Sequence, residues 1–496
     1  MKKVIVIGSG IGGLSLAIRL QAKGFQVAIF EKNEKVGGHA YPLEESGFHF
    51  DMGPSLITAP SIISDLFQTA NRNLSDYLNL IPLEPFYRIY FHDGNVMDYS
   101  ADSEKMKQHI GAFHPPDAER YDDFIRASKK IHDVVIGQKL GSKPFMTAGS
   151  MLSFMPKAIA LKAVMPAYQY ASRFFKDERN RFTFSFHPLF LGGNPFRSPA
   201  VYQMIPYLEK TGGVWYTKGG MTTFIKALQQ LFKERGGTIR TNAEVEKIIV
   251  QDGSVKGVNV NGEKIHSDAV VSNADFIHTF KKLIDPNHRK KWTDRRLEKI
   301  DYSMSAFLLY IGVEKKYDQL KHHTLVLSQR YRSLIENIFD DKILPDDFSL
   351  YLHTPSRTDD TMAPAGCESI YVLSPVTNLL GNVDWSSMAE IYKNKILAFL
   401  ENDFGLENFR EKIRVCKVFT PEDFKIKNNN TYGSAWGVEP KLTQTAILRP
   451  HNKCKDIRGL YLVGASTHPG AGLPGVMMTA ETTEQVLMQD YLHGAF

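Results

Sequence analysis

Gly8, Gly10 and Gly13 stand at the spacing G-x-G-x-x-G, between an apolar run, Val4 to Ile7, and a stretch with helical apolar spacing, Leu14 to Leu20. The chemistry this suits is holding a dinucleotide. Gly8 allows the tight turn, Gly10 lets the backbone approach a pyrophosphate, and Gly13 lets the next helix pack closely on the strand. Ser9, Ile11 and Gly12 complete the loop, and the helix start offers unpaired N–H groups and a positive dipole end to phosphates. Glu31 lies eighteen residues past Gly13, at the end of a second apolar run, Val27 to Phe30. A carboxylate there can accept from a ribose hydroxyl. A lone glycine motif is weak; set between strand and helix, with the acid closing the next strand, it is strong.

Two more glycine-rich strings follow. Lys32 leads into Val36-Gly37-Gly38-His39-Ala40, and then comes Phe48-His49-Phe50-Asp51-Met52-Gly53-Pro54-Ser55. More than 400 residues from the first loop stands Leu460-Tyr461-Leu462-Val463-Gly464-Ala465-Ser466-Thr467-His468-Pro469-Gly470-Ala471-Gly472-Leu473-Pro474-Gly475-Val476-Met477-Met478. It reads as an apolar strand, Leu460 to Val463, a glycine-rich turn, and a helix that Gly475 opens and that runs through Ala480 and Val486. Two strand–glycine–helix units so far apart make sense if both converge on one ligand. The second would add backbone N–H groups and a helix dipole to the same site.

An acid, a few residues and a Gly-Gly pair resemble the FAD site of the amine oxidase and phytoene desaturase superfamily. The string from Gly464 to Pro474 resembles the C-terminal signature of bacterial-type carotenoid desaturases, both phytoene and diapophytoene desaturases. The resemblance implies FAD as cofactor. It implies an α/β fold: an FAD-binding Rossmann-type domain, like that of glutathione reductase, with an inserted α+β substrate domain. It also implies that Gly8, Ser9, Gly10, Ile11, Gly12, Gly13, Glu31, Lys32, Gly38, His39, Gly53, Pro54 and Ser55 border the cofactor. Val245 would meet the adenine through its backbone, and Gly464, Gly475, Val476 and Met477 would lie near the flavin. Most members have Arg after the Gly-Gly pair. Here it is His39, and only its protonated form would offer the same charge. His468 faces either the substrate or the backbone of its own turn, with the structural role slightly favoured.

The elements that position these residues follow from periodicity. Gly219-Gly220-Met221 precedes an amphipathic helix, Phe224 to Phe232. Thr238 to Arg240, Glu244 to Val250, Val255 to Val260, Lys264 to His266 and Ala269 to Ala274 read as strands returning to the nucleotide domain. Residues 1–85, 215–285 and 445–496 are thereby assigned to the FAD-binding domain. Residues 86–214 and 286–444 are left for a substrate-binding, membrane-associating domain. Strings there or at its borders also resemble the bacterial desaturases: Leu191 to Phe196, Trp215 to Met221, Asp301 to Gly312, Thr420 to Phe424 and Tyr432 to Gly437. Some lean toward thirty-carbon and others toward forty-carbon substrates. Residues 145–190 are rich in Phe, Met, Leu and Tyr, with Lys157, Lys162, Arg173 and Lys176 interspersed and with Pro156 and Pro166 interrupting any long helix. This suits either an interfacial segment that takes a lipid from the bilayer or a helix pair lining a tunnel.

The function the resemblance implies is FAD-dependent desaturation of a linear carotenoid precursor, phytoene or diapophytoene. A long apolar polyene offers almost no hydrogen bonds, so an apolar tunnel must recognise it. Oxygen or a quinone would reoxidise the flavin. No spacing of acid and base names a catalytic residue. The rival readings are a carotenoid oxygenase or isomerase, a flavin amine oxidase, and a non-catalytic prenyl-binding protein of the Rab GDP-dissociation inhibitor type. The intact Gly8, Gly10, Gly13 and Glu31 set argues against the last.

Composition narrows the field. The 496 residues are 43% hydrophobic and 23% charged with a net charge of +6, and no block of like charges marks a nucleic-acid surface. Cys367, Cys416 and Cys454 are too far apart for a metal site or a disulfide framework. No metal is expected. The apolar run after Met1-Lys2-Lys3 breaks at Gly8, so it reads as a strand and not a signal peptide. No run is long enough for a membrane span. A peripheral place on the cytoplasmic side of the membrane is the expectation.

Overall fold

Val4 to Ile7 is unbroken apolar chain, and such a strand has to be covered on both faces. In the computed structural model, which describes residues 2–144 and 155–495, β1 (Lys3–Ile7) lies at the centre of a parallel sheet. Its partners are β2 (Gln26–Phe30), β3 (Thr238–Arg240), β4 (Ala269–Ser272) and β5 (Leu460–Leu462), in the order β5-β4-β1-β2-β3. Side chains alternate between faces. Val4 and Val6 pack on one side against α1 (Ile11–Ala22), α2 (Gly220–Glu234) and α3 (Leu473–Leu492), through Leu14, Phe224, Leu228 and Leu487. Ile5 and Ile7 pack on the other against Val245, Ile248 and Val258. Full burial stabilises each of these four β1 side chains by about 1.5–3 kcal/mol, so a polar residue at any of them would unseat the sheet.

The middle strands correct the sequence reading in part. Only Thr238–Arg240 and Ala269–Ser272 join the parallel sheet. Val245–Gln251, Ser254–Val260 and Glu263–His266 form a separate three-stranded antiparallel sheet. The hairpin turns at Asp252-Gly253 and Asn261-Gly262 dictate this, since antiparallel neighbours need only a short turn. This small sheet covers the second face of the large one.

A seven-stranded sheet makes the other half. Its order is Ile413–Phe419, Ser305–Val313, Glu368–Val376, Leu350–His353, His323–Val326, Tyr87–Tyr90 and Val96–Tyr99, and one pair, His323–Val326 on Tyr87–Tyr90, is parallel. All nine residues of Ser305–Val313 are buried. Phe307, Leu309 and Ile311 pack with Tyr392, Ile396 and Leu400 of the helix Trp385–Asn402. Ala306, Leu308 and Tyr310 belong to a second core with Tyr87, Tyr351 and Tyr371.

Residues 145–154 of the apolar segment lie outside the described residues. From 155 onward it breaks into short helices, Met155–Ala160, Ala167–Ala171 and Glu178–Thr183, as its prolines require. Tyr168, Tyr170 and Phe175 are buried, while Lys157, Lys162, Arg173 and Lys176 are exposed. Among the described residues no helix is long and apolar enough to cross a membrane. All three cysteines are free.

Candidate active site

α1 begins behind Gly10, which has no side chain to cap it. The N–H groups of the first turn are therefore left for a ligand. Gly10, Ile11 and Gly12 border a cavity of about 510 Å³. Gly13 does not; its part is packing, since a Cβ there would stand 2.3 Å from the carbonyl oxygen of Gly8. A Cβ on Gly12 would stand 2.7 Å from Asn273 Oδ1 and 3.3 Å from Gly464 Cα. The two distant glycine loops thus meet at this point. α3 likewise starts behind an uncapped glycine, Gly472, and its first turn borders the same cavity.

Glu31 is buried beside the loop. Its Oε2 accepts from Ser9 N at 2.9 Å and from Ser9 Oγ at 2.7 Å, and its Oε1 accepts from Asn33 N at 2.9 Å. Ser9 therefore orients the acid and does not itself border the cavity. A carboxylate has about four acceptor positions, so one remains for a ribose hydroxyl. Lys32 Nζ donates to Ile426 O and Asn429 Oδ1, each at 2.8 Å.

Gly38, His39, Gly53, Pro54 and Ser55 line the next part of the wall. His39 Nε2 is 3.0 Å from Asn430 Nδ2. Burial pushes this imidazole below its ordinary pKa, outweighing the Asn430 contact. It is neutral near pH 7, so the charge an arginine would bring is absent. Asp51 stands behind the wall and accepts from Met221 N at 2.6 Å at the start of α2. Its desolvation outweighs the stabilising N–H groups and raises its pKa to about 7.

Gly464, Gly475 and Val476 border the cavity, and so does Val245. Met477 does not: it is buried in the core under the parallel sheet, and Met478 takes the place at the wall. α3 starts two residues earlier than the glycine suggests, because Leu473-Pro474 suits a first helical turn. Arg449 fastens the turn. It is 2% exposed, and its guanidinium donates to the carbonyls of Ala465 at 2.7 Å, Val438 at 3.0 Å, Thr467 at 3.1 Å and Gln444 at 3.3 Å. His468 is buried and off the cavity wall; its N–H donates to Pro450 O and its carbonyl accepts from Asn452 Nδ2. This is the structural role.

Beyond the glycine loops the wall turns apolar, with Leu189, Phe190, Leu308, Leu325, Leu327 and Leu373. Its polar groups are few and tied. Ser55 Oγ and the Tyr351 hydroxyl share a hydrogen bond of 2.6 Å, and that hydroxyl is 2.8 Å from His323 Nδ1. Glu209 accepts from the Tyr87 hydroxyl at 2.5 Å and lies 3.2 Å from His187 Nε2.

Several of these residues gave no signal in sequence. Asn273, at the end of β4, touches the glycine loop from the far side. Asp275 borders the cavity and is held by Tyr302, Thr431 and the N–H of His278. Asn430 could not be paired with His39 from spacing. Behind Tyr351, the ring nitrogens of His322, His323 and His353 lie within 4.8 Å of one another, close enough to hold a metal ion in common. Burial holds all three imidazoles far below their ordinary pKa.

This fold and this site define a flavin-dependent oxidoreductase. The chain belongs to the flavin containing amine oxidoreductase family, which it matches over residues 11–486. It is 42% identical to the lycopene-forming phytoene desaturase of Pseudescherichia vulneris over 493 residues, 99% of this chain and 100% of that one. It is 35% identical to the 4,4'-diaponeurosporene-forming 4,4'-diapophytoene desaturase of Staphylococcus haemolyticus, over 99% of each chain. Among solved structures it resembles an oxidoreductase from Methanosarcina mazei, with a TM-score of 0.63 at 17% identity, over 98% of this chain and 100% of that one.

Proposed function

We propose that the protein desaturates a linear carotenoid precursor with FAD, and that phytoene is that precursor. The observation that carries this reading is the cavity itself, in which glycine loops fit for a dinucleotide open directly onto an apolar wall. The whole-length likeness to desaturases supports it over the amine oxidase, oxygenase, isomerase and prenyl-binding readings. The forty-carbon substrate has the better support, since identity is 42% to the lycopene-forming relative and 35% to the diapophytoene enzyme.

The residues fit FAD. The uncapped starts of α1 and α3 would hold the diphosphate and the flavin end, Glu31 the ribose, and Val245 the adenine. Bound FAD supplies the acceptor for a hydride equivalent. The chain's own part is to bind, orient and exclude water. Leu189, Phe190, Leu308, Leu325 and Leu373 recognise a substrate with no polar handle and keep the reacting carbons dry. Residues 1–85, 215–285 and 445–496 form the FAD-binding domain, and 86–214 with 286–444 form the substrate domain. The substrate enters from the cytoplasmic face of the membrane. In favour of that face is Ile159, 58% exposed between the exposed Lys157 and Lys162, an apolar tip with cations around it. Oxygen or a quinone reoxidises the flavin.

The test is expression in cells that accumulate phytoene and, separately, diapophytoene. A red-shifted pigment in the phytoene strain is expected. No shift in either strain rejects desaturation, and a purified protein that shows no flavin absorbance after FAD addition rejects the flavoenzyme.

A further inference from the structure

Four carboxylates border the cavity: Glu31, Glu244, Asp275 and Glu209. The first three stand on the dinucleotide side. Glu31 follows β2, Glu244 precedes Val245, and Asp275 follows β4. Glu31 and Asp275 already have most of their oxygen lone pairs engaged. Glu209 stands apart, on the helix Ile205–Gly212, among Phe186, Leu189, Phe190, Ile205 and Leu208, which border the cavity with it.

A carboxylate is costly to place among apolar side chains unless it is held by hydrogen bonds. Glu209 is 1% exposed, and among the described residues its one ion-pair partner is His187. Among the described residues no lysine or arginine pairs with it. Tyr87 donates to one oxygen at 2.5 Å, and His187 Nε2 is 3.2 Å from the other. His187 lies with its ring stacked on Phe186, centroids 4.3 Å apart, and against Tyr99. These contacts fix the carboxylate and leave lone pairs on each oxygen. Sterically simpler residues would fill the same space, so the carboxylate has a use.

On the desaturation reading, that use follows from the chemistry. Loss of hydride from a carbon next to a double bond leaves an allylic cation, which an apolar wall cannot stabilise. A fixed carboxylate can, and it can also take a proton. We propose that Glu209 is the proton acceptor of the reaction. The hydride and its electron pair pass from one carbon of a –CH2–CH2– unit to oxidised FAD. The C–H bond of the neighbouring carbon breaks, its electron pair becomes the new C=C bond, and its proton forms an O–H bond on Glu209. Tyr87 and His187 are positioning residues. The hydroxyls of Ser55 and Tyr351 are neutral and accept a proton far less readily.

The experiment uses the FAD-loaded protein with phytoene in phosphatidylcholine vesicles, without oxygen, and follows bleaching of the flavin band. The wild-type protein bleaches. Glu209→Gln keeps the shape and removes the acceptor; it is expected to retain flavin and bleach 10²–10⁴-fold more slowly. Glu209→Asp restores part of the rate. Tyr87→Phe removes a donor that favours the charged carboxylate, so the acid limb of the pH profile moves to higher pH. The titratable groups that face Glu209 are Tyr87, Tyr99 and His187, with Tyr351 and His323 beyond Tyr87. Bleaching of Glu209→Gln within threefold of wild type overturns the assignment. Should Glu209→Gln not hold flavin, an unmoved acid limb in Tyr87→Phe overturns it instead. A wild-type protein that oxidises no phytoene removes the desaturase reading, and this assignment with it.

Discussion

Replacing Gly13 by alanine tests how the first loop holds its ligand. Gly13 does not border the cavity, so any effect on FAD must pass through the geometry of the turn. The new methyl would stand 2.3 Å from the carbonyl oxygen of Gly8, and an ordinary carbon–oxygen contact is about 1 Å longer. α1 must therefore retreat from the turn by about that much. Overpacking of this kind costs about 1–3 kcal/mol. Alanine in a helix returns up to about 1 kcal/mol against glycine, so the fold survives with a small net loss. The first-turn N–H groups move with the helix. A hydrogen bond to a charged group contributes about 1.5–3 kcal/mol, so losing one weakens FAD roughly 10- to 100-fold. The assay is titration of stripped protein with FAD, followed by quenching of flavin fluorescence, with circular dichroism to show that the fold is intact. Gly111→Ala is the control, since it lies inside the helix Ser103–Phe113 and a Cβ there would meet nothing nearer than the Ala118 Cβ at 3.4 Å. A folded Gly13→Ala protein whose Kd for FAD stays within twofold of wild type would refute the packing argument.

Arg449→Met takes the guanidinium donor away from four carbonyls; unfolding free energy is expected to fall by about 2–4 kcal/mol, with loss of bound flavin, both measurable by thermal unfolding and absorbance. His39→Ala removes a neutral contact, so FAD affinity drops less than about tenfold, and the drop is the same at pH 6.5 and 8.5 in parallel titrations. His353 has a pKa lowered by burial from 6.5 to about 3, so its contribution to stability is whole above 6.5 and is lost as pH falls toward 3. His353→Gln therefore has a shallower fall in unfolding free energy over that interval, by up to about 1.4 kcal/mol per pH unit; denaturant unfolding measures it, and an unchanged slope would contradict a buried neutral imidazole.

The glycine loops and β1 were legible because each rests on local rules. Gly8, Gly10 and Gly13 between an apolar strand and a helix leave one way to fold and one kind of ligand. Met477 stands one position off the cavity wall, because helical phase at the start of α3 depends on where the helix begins, and Leu473-Pro474 begins it early. Asn273, Asn430 and Glu209 had no local mark at all. They reach the cavity from separate elements, and only the packing of two sheets brings them there. The strands from 245 to 266 were recognised as strands, but their sheet was not, since alternation tells which face is apolar and not which neighbour covers it.

The order of strands in the parallel sheet has a consequence for how the protein is made. β1 sits between β2 and β4, and β5 closes the row from more than 400 residues downstream. A ribosome adds about 5–20 residues per second. For most of the synthesis, then, β1 has an uncovered edge and the first glycine loop lacks Asn273, Gly464 and the start of α3. On the proposed reading, the nascent chain has no complete seat for FAD until residues 464–476 emerge. Cofactor uptake would then be a late event, and flavin supply would set how much of the chain locks into its folded form, because a ligand that binds only the folded state stabilises it by mass action.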